Sequence, residues 1–247
     1  MTQSSDKTEP ALGHILVAED DVVAQMVVKK MVEQAGYTMD LARDGLEVIS
    51  AMESNHYDLI LMDCLMPQMN GFDATREIRS SDSPSINSDI PIIAMTGLTA
   101  EEDQQRCIDS GMYEVISKPF KLEDLVPVLR HCMAKIDGAV PSPKAPEEIQ
   151  QQDWDDGFLD NVIDGYLTEV PRVIKELQQA VDQGDSDQLG NIAHRFRGAS
   201  DILKVSGLSA RSRVLEQAAM DGATELAITH ATELIEKLQK LMRVLAE

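Results

Sequence analysis

The sequence predicts a doubly wound α/β domain followed by an all-α bundle. Three observations carry this expectation. Up to about residue 136, short apolar runs alternate with longer stretches of helical spacing. After residue 153 the short runs vanish, and apolar residues recur only at intervals of three and four. Between the two lies DGAVPSPKAPEEIQQQ, residues 137–152, rich in Pro, Gln and charge with little to bury. The 247 residues are enough for two ordinary domains. The expected division is therefore 13–136, a linker at 137–152, and 153–247.

The apolar runs are HILVAED (14–20), YTMDLA (37–42), DLILMD (58–63), PIIAMT (91–96) and EVISK (114–118). Continuous runs of this length fit strands buried on both faces of a parallel sheet. VVAQMVVKKMVEQAG (22–36) and LEDLVPVLRHCMAKI (122–136) have helical period, and the second is amphipathic, as a helix packed on a sheet should be. Five strands alternating with five helices give a mostly parallel (βα)5 sheet. A flexible linker of this length holds its ends about 20 Å apart. Beyond it, apolar positions run Phe158, Val162, Ile163, Tyr166, then Val173, Ile174, Leu177, Val181, then Leu189, Ile192, Phe196, Leu203. Pro171 suits the first turn of a helix, and QGDSD (183–187) and MDGA (220–223) read as breaks. Four or five antiparallel helices result, most simply a four-helix bundle, with Trp154 at its start covering one end.

Composition narrows the partners. The net charge is −21. Up to residue 150 there are 12 basic against 26 acidic side chains, and after it 10 against 17. No basic face is available for nucleic acid or anionic lipid, so a protein partner is the default. No run of 18 apolar residues suggests a membrane span, and MTQSSDKTEPALGH lacks the pattern of a signal peptide. Cys64, Cys107 and Cys132 are odd in number and lack ligand spacing, which suits reduced thiols of a cytoplasmic protein. The 13 methionines are dispersed and read as core filling, and His14, His56, His131 and His230 show no mutual spacing. No GxxxxGK[ST] loop is present, so the chain is not expected to draw phosphoryl groups from ATP itself.

In a parallel α/β sheet, ligands bind beyond the carboxyl ends of the strands. The first strand ends in Glu19 and Asp20, followed by Asp21. The third ends in Asp63, the fourth in Thr96, and the fifth in Lys118 before Pro119. One rim thus collects two or three carboxylates, a hydroxyl and an ammonium. Crowded carboxylates raise one another's pKa unless a cation intervenes. An all-oxygen set suits Mg²⁺, and an aspartate beside it can act as a nucleophile toward a phosphoryl group. Lys118 and the Thr96 hydroxyl would offset charge on the transferring oxygens.

ILVAEDD, DLILMDCLMPQMNGFDATREIR, IPIIAMTGLT and GMYEVISKPF resemble the response-regulator receiver domain over about residues 13–136. The resemblance implies a flavodoxin-like receiver with Asp63 as phosphoacceptor. It implies that Glu19 and Asp20 hold Mg²⁺, with the backbone carbonyl of Leu65 as a further ligand. Thr96 and Lys118 become the switch hydroxyl and the phosphate-binding lysine. The family usually has Tyr or Phe three residues before that lysine, an aromatic ring that reports phosphorylation to partners; this chain has Val115. A receiver that hands its phosphoryl group onward needs that readout less.

In AHRFRGAS (193–200), His194 has Gly190 four residues before it and Gly198 four after. It lies about 140° from Leu189 around a helix, so it is expected to point toward solvent or a groove edge. Two exposed helical glycines would lower stability by about 2 kcal/mol together. A close approach by another macromolecule would account for them, with the imidazole as nucleophile and Arg195 and Arg197 pairing with phosphoryl oxygens or an acidic rim. AHRFRGASDILKVSGLSARSRVLE resembles the histidine phosphotransfer (HPt) domain, and FLDNVIDGYLTEVPRVIKELQQAVDQGD its preceding two helices, over about residues 153–245. The resemblance makes His194 a phosphoacceptor supported by Arg197 and Gly198. Together the two resemblances imply an intermediate of a multistep His–Asp phosphorelay, fed by a histidine kinase and passing phosphoryl groups to a downstream response regulator. The alternatives are a phosphorylation-controlled module that inhibits or sequesters a kinase or regulator, and a phosphate sink.

Overall fold

The computed structural model describes residues 11–97, 101–136 and 156–245. The expected linker and Trp154 lie outside the described residues. The first half has strands β1 (His14–Ala18), β2 (Thr38–Ala42), β3 (Leu59–Asp63), β4 (Ile92–Thr96) and β5 (Glu114–Ser117). Its helices are α1 (Val22–Gln34), α2 (Gly45–Ser54), α3 (Gly71–Ser80), α4 (Glu101–Asp109) and α5 (Leu122–Ile136). Every strand pairing is parallel, in the order β2-β1-β3-β4-β5. That is the flavodoxin-like order, whose switch point lies between β1 and β3. All five residues of both β3 and β4 are buried, as their unbroken apolar runs require. The register sets Asp63 beside Met95 and Thr96 beside Ser117, so the strand ends reach one rim together.

Local chemistry starts the helices next to that rim. The Asp21 side chain accepts from the Ala24 N–H at 2.7 Å and caps α1. Asn70 caps α3 in the same way through Asp73. The next residue has to be glycine, because a Cβ on Gly71 would stand 2.1 Å from the carbonyl oxygen of Asp63.

The second half is a bundle of α6 (Asp156–Gln183), α7 (Ser186–Ile202), α8 (Ser206–Met220) and α9 (Thr224–Leu245). The expectation that Pro171 opens a new helix is corrected: it lies inside the continuous 28-residue α6. A proline there removes one backbone bond and crowds the preceding turn, at about 3 kcal/mol. Val162, Tyr166, Val170, Val173, Leu177 and Ala180 form one buried stripe through that point. Fully burying a large apolar side chain is worth roughly 1.5–3 kcal/mol, so the stripe outweighs the proline. The breaks expected at 183–187 and 220–223 fall where α6 meets α7 and α8 meets α9.

Helix α1 is apolar on more than its sheet-facing side, and it packs on α6 and α7 as well. One apolar cluster therefore runs from Val27 and Met31 through Tyr166 and Phe196 to Leu234. Against α6, a Cβ on Gly165 would meet the Met26 sulfur at 3.2 Å.

The two glycines around His194 differ. A Cβ on Gly190 would meet the Ala219 Cβ at 3.0 Å, so this glycine serves the packing of α7 on α8, correcting the expectation of a bare surface on that side. Around Gly198, among the described residues and outside its own stretch of helix, nothing lies within 4 Å of such a Cβ. Gly190→Leu should therefore destabilise by about 2 kcal/mol through overpacking. Gly198→Ala should stabilise by up to about 1 kcal/mol by removing the helical glycine penalty. Urea unfolding of both variants checks this; a neutral Gly190→Leu or a destabilised Gly198→Ala would contradict the assignment.

Candidate functional site

The acidic rim is buried. Glu19, Asp20 and Asp63 offer carboxylate oxygens that all lie within 4.8 Å of one another. The Lys118 ammonium, arriving just after β5, bonds Asp63 Oδ2 at 2.5 Å and also Glu19 Oε2. Burial alone would lower the Lys118 pKa, but Asp63 and Glu19 outweigh it and keep the ammonium charged. Burial pushes Glu19 well above the carboxylate range; Lys118 opposes the shift and Asp63 adds to it. Asp20 is pushed up to about 7 by burial and by Asp63, against Arg195 and Lys118. Asp20 Oδ2 is buried and makes no hydrogen bond among the described residues; its charge partner is Arg195 Nε at 3.5 Å. Three carboxylates around one lysine, with one oxygen unsatisfied, are a donor set that a hard divalent cation fits.

The remaining rim residues are close but play different parts. The Leu65 N–H donates to Asp63 Oδ1 at 3.1 Å, which fixes the carboxylate. Thr96 ends β4, fully buried, in hydrogen-bond contact with the Cys64 thiol. Asp21, the third acid of the sequence cluster, is used as the α1 cap. Val115 is half-buried in β5 and packs on the cluster that also holds Ile92 and Cys107. Cys64 and Cys107, 43 positions apart in sequence, bring their sulfurs to 3.5 Å.

His194 corrects a sequence expectation. The residue is only 8% exposed, where the helical phase had pointed it toward solvent or a groove edge. Two neighbours cover it. Nδ1 meets Glu216 Oε1 of α8 at 2.5 Å. On the other side lies Gly97, directly after β4, where a Cβ would stand 3.4 Å from His194 Cε1 and 2.7 Å from Arg197 Nη2. Arg197 Nε donates to the second Glu216 oxygen at 2.8 Å, and Arg197 Nη1 pairs with Asp201 at 3.6 Å. Burial would raise the Glu216 pKa, but bonding to His194 and the Arg197 charge outweigh it and hold the carboxyl below its ordinary value of 4.5. With Nδ1 engaged by a carboxylate, Nε2 is the ring nitrogen left for chemistry.

Glu19, Asp20, Asp63 and Lys118 from the first half and His194, Arg197 and Gly198 from the second line one cavity of about 60 Å³. Thr96 and Leu65 flank it without lining it. Sequence reasoning missed Glu216 and Gly97. Glu216 carried a signal: it interrupts the stripe of Leu208, Ser212, Leu215 and Ala219 on α8, where an ionised group needs a partner.

Fold and site together define a receiver-type sheet domain joined to a histidine-bearing helical bundle. Residues 15–130 match the response regulator receiver domain and residues 161–246 match the Hpt domain, so the chain joins a receiver domain to an Hpt domain. It is 26% identical to the sensor protein EvgS of Escherichia coli (strain K12) over 222 residues, 85% of this chain and 17% of that protein. It is 39% identical to Histidine kinase 5 of Arabidopsis thaliana over 148 residues, 51% of this chain and 16% of that one. The receiver domain of the sensor histidine kinase PA1611 from Pseudomonas aeruginosa PAO1 is 36% identical, with 49% of this chain and 98% of that domain covered at a TM-score of 0.46. The chain spans between 6% and 20% of the length of the curated relatives it matches. Among the described residues, no helix is long and apolar enough to cross a membrane.

Removing the Glu216 carboxyl leaves a largely buried Arg197 with only its longer pairing to Asp201 and takes the partner from His194 Nδ1, so Glu216→Ala should cost about 3 kcal/mol. The pH dependence has a definite sign. Because Glu216 sits below 4.5 in the folded state, its contribution is complete above that pH and is lost as the pH falls through the folded-state value. The stability gap between the wild type and Glu216→Gln should therefore be present at pH 5 and close on further acidification. Urea midpoints across this range check it; a gap that widens in acid would contradict the charge assignment.

Proposed function

We propose that the chain is an intermediate of a multistep His–Asp phosphorelay. It takes phosphoryl groups on Asp63 and His194 and passes them between a histidine kinase and a downstream response regulator, as a cytoplasmic protein. The working division is 13–136 for the receiver, 137–152 for the linker and 153–247 for the phosphotransfer domain. The observation that carries this reading is the single cavity lined by Asp63, Lys118 and His194.

The chain's own groups account for the chemistry. An Asp63 oxygen is the nucleophile toward a phosphoryl group, and Lys118, already bonded to it, offsets charge on the phosphoryl oxygens. Thr96, at the end of β4 behind the cavity wall, is the hydroxyl of the rim in this reading. Glu216 fixes the His194 ring and directs Nε2 to act as nucleophile. Arg197, clamped by Glu216, holds positive charge next to the imidazole. Glu19, Asp20, Asp63 and the Leu65 carbonyl would hold Mg²⁺. When bound, the ion supplies further charge neutralisation at the phosphoryl oxygens.

With a cognate kinase, ATP and a terminal receiver, Asp63→Ala and His194→Ala should each reduce label on that receiver by at least about 100-fold, the scale of losing a nucleophile. Acid-labile, alkali-stable label on His194 should be recovered from the wild type. If both variants still pass label, the relay reading fails; if His194 is never labelled, a binding module is the better account. Metal binding has its own readout. Millimolar Mg²⁺ should raise the melting temperature by several degrees, because a ligand at about 100 times its Kd stabilises by about 2.7 kcal/mol. Asp20→Asn should remove most of that increment, and an unchanged increment would contradict the assigned ligands.

A further inference from the structure

Taking the relay reading as its basis, we infer that the Asp63 and His194 of one chain are each other's partner, so that the phosphoryl group passes between them in cis. Four observations converge. His194 is covered from outside the bundle by the receiver half, through Gly97. The cavity at this seam is closed in by both acceptors and by Lys118 and Arg197, and its volume of about 60 Å³ exceeds the 10–15 Å³ or so that one water needs. Arg195 of α7 reaches Asp20 of the acid cluster, so the two halves are clasped by opposite charges beside the acceptors. Apolar packing adds to this: Val23 of α1 shares one apolar cluster with Tyr166, Phe196 and Ala199, Met26 lies against Gly165, and Lys30 sits over the Phe158 ring. An apolar face on α1 that is buried by this bundle needs no other chain to cover it.

The step balances without an added reactant. The Nε2 lone pair of neutral His194 forms the N–P bond as the P–O bond to the Asp63 carboxyl oxygen breaks, and that electron pair stays on the carboxylate. The Nδ1 proton remains on the hydrogen bond to Glu216, whose negative charge offsets the positive charge gained by the ring. The same closure covers both acceptors, so an outside donor or acceptor meets the chain with its halves parted.

The test uses full-length chains, Mg²⁺ and radiolabelled acetyl phosphate, which loads aspartate. Label on His194 is read by its survival in alkali. Asp63→Asn alone controls for direct labelling of the imidazole. Wild type should label His194 at a rate unchanged over a 100-fold dilution. A mixture of Asp63→Asn and His194→Gln chains, able to transfer only between molecules, should at about 10 micromolar be slower by on the order of 100-fold, since a tether sets an effective concentration near millimolar. Gly165→Phe, remote from both acceptors, should wedge α6 from α1 and slow His194 labelling at least tenfold with Asp63 labelling intact. A wild-type rate proportional to concentration, a mixture as fast as wild type, or an unaffected Gly165→Phe overturns cis transfer while leaving the relay standing. Labelled Asp63 with no label on His194 at any concentration overturns both.

Discussion

Three carboxylates buried within reach of one another repel, and burial adds to the cost of keeping them charged. Glu19, Asp20 and Asp63 are held in this state because the sheet leaves them no alternative. Parallel pairing aligns the ends of β1 and β3, and Asn70 and Gly71 turn the chain away tightly behind Asp63. Lys118 arrives from β5 and bonds two of the three acids. Arg195 arrives from a different domain and faces the third. The cluster is thus anionic, partly compensated and incomplete, a state in which incoming positive charge is favoured. The fit for a cation, the place proposed for the phosphoacceptor and the docking of the bundle all follow from that one imbalance.

The bundle answers with the complementary arrangement. Helix α7 brings Arg195, Arg197 and His194 to a single seam, and α8 supplies Glu216 beneath them. Glu216 does two jobs with two oxygens: one holds the imidazole, the other holds the guanidinium. Buried histidine would be a poor station for a travelling group if its own bundle covered it. Here the cover on the open side is the receiver, with glycine at position 97 leaving room that any side chain would fill. Helix α1 makes this possible by carrying apolar residues for two partners, the sheet on one side and α6 and α7 on the other.

Much of this was legible in the sequence. Unbroken apolar runs marked β3 and β4, and the acid–Asp–Thr–Lys order along the strand ends marked the rim. The shift from short runs to three-and-four spacing separated the halves. What was not legible depended on tertiary context. Pro171 looked like a helix start because local preference says so; the buried stripe from Val162 to Ala180 carries the helix through it. His194 looked exposed because phase around one helix cannot foresee a second domain lying across it. Gly190 looked like bare surface, whereas α8 lies against it. Glu216 is 22 residues from its imidazole, and only the packing of α7 on α8 joins them. The approach of Cys64, just after β3, to Cys107 of α4 needs that helix packed on the sheet, so no spacing rule could announce it.

The account stands or falls on one chain carrying two stations for one phosphoryl group. Phosphorus NMR of the full-length protein treated with acetyl phosphate and Mg²⁺ tests it most directly. The expected spectrum holds an acyl-phosphate resonance and a phosphoimidazole resonance, with the second lost in Asp63→Asn because His194 is filled only through that aspartate. A phosphoimidazole signal that persists in Asp63→Asn, or its absence from a wild type whose Asp63 is phosphorylated, would contradict the account.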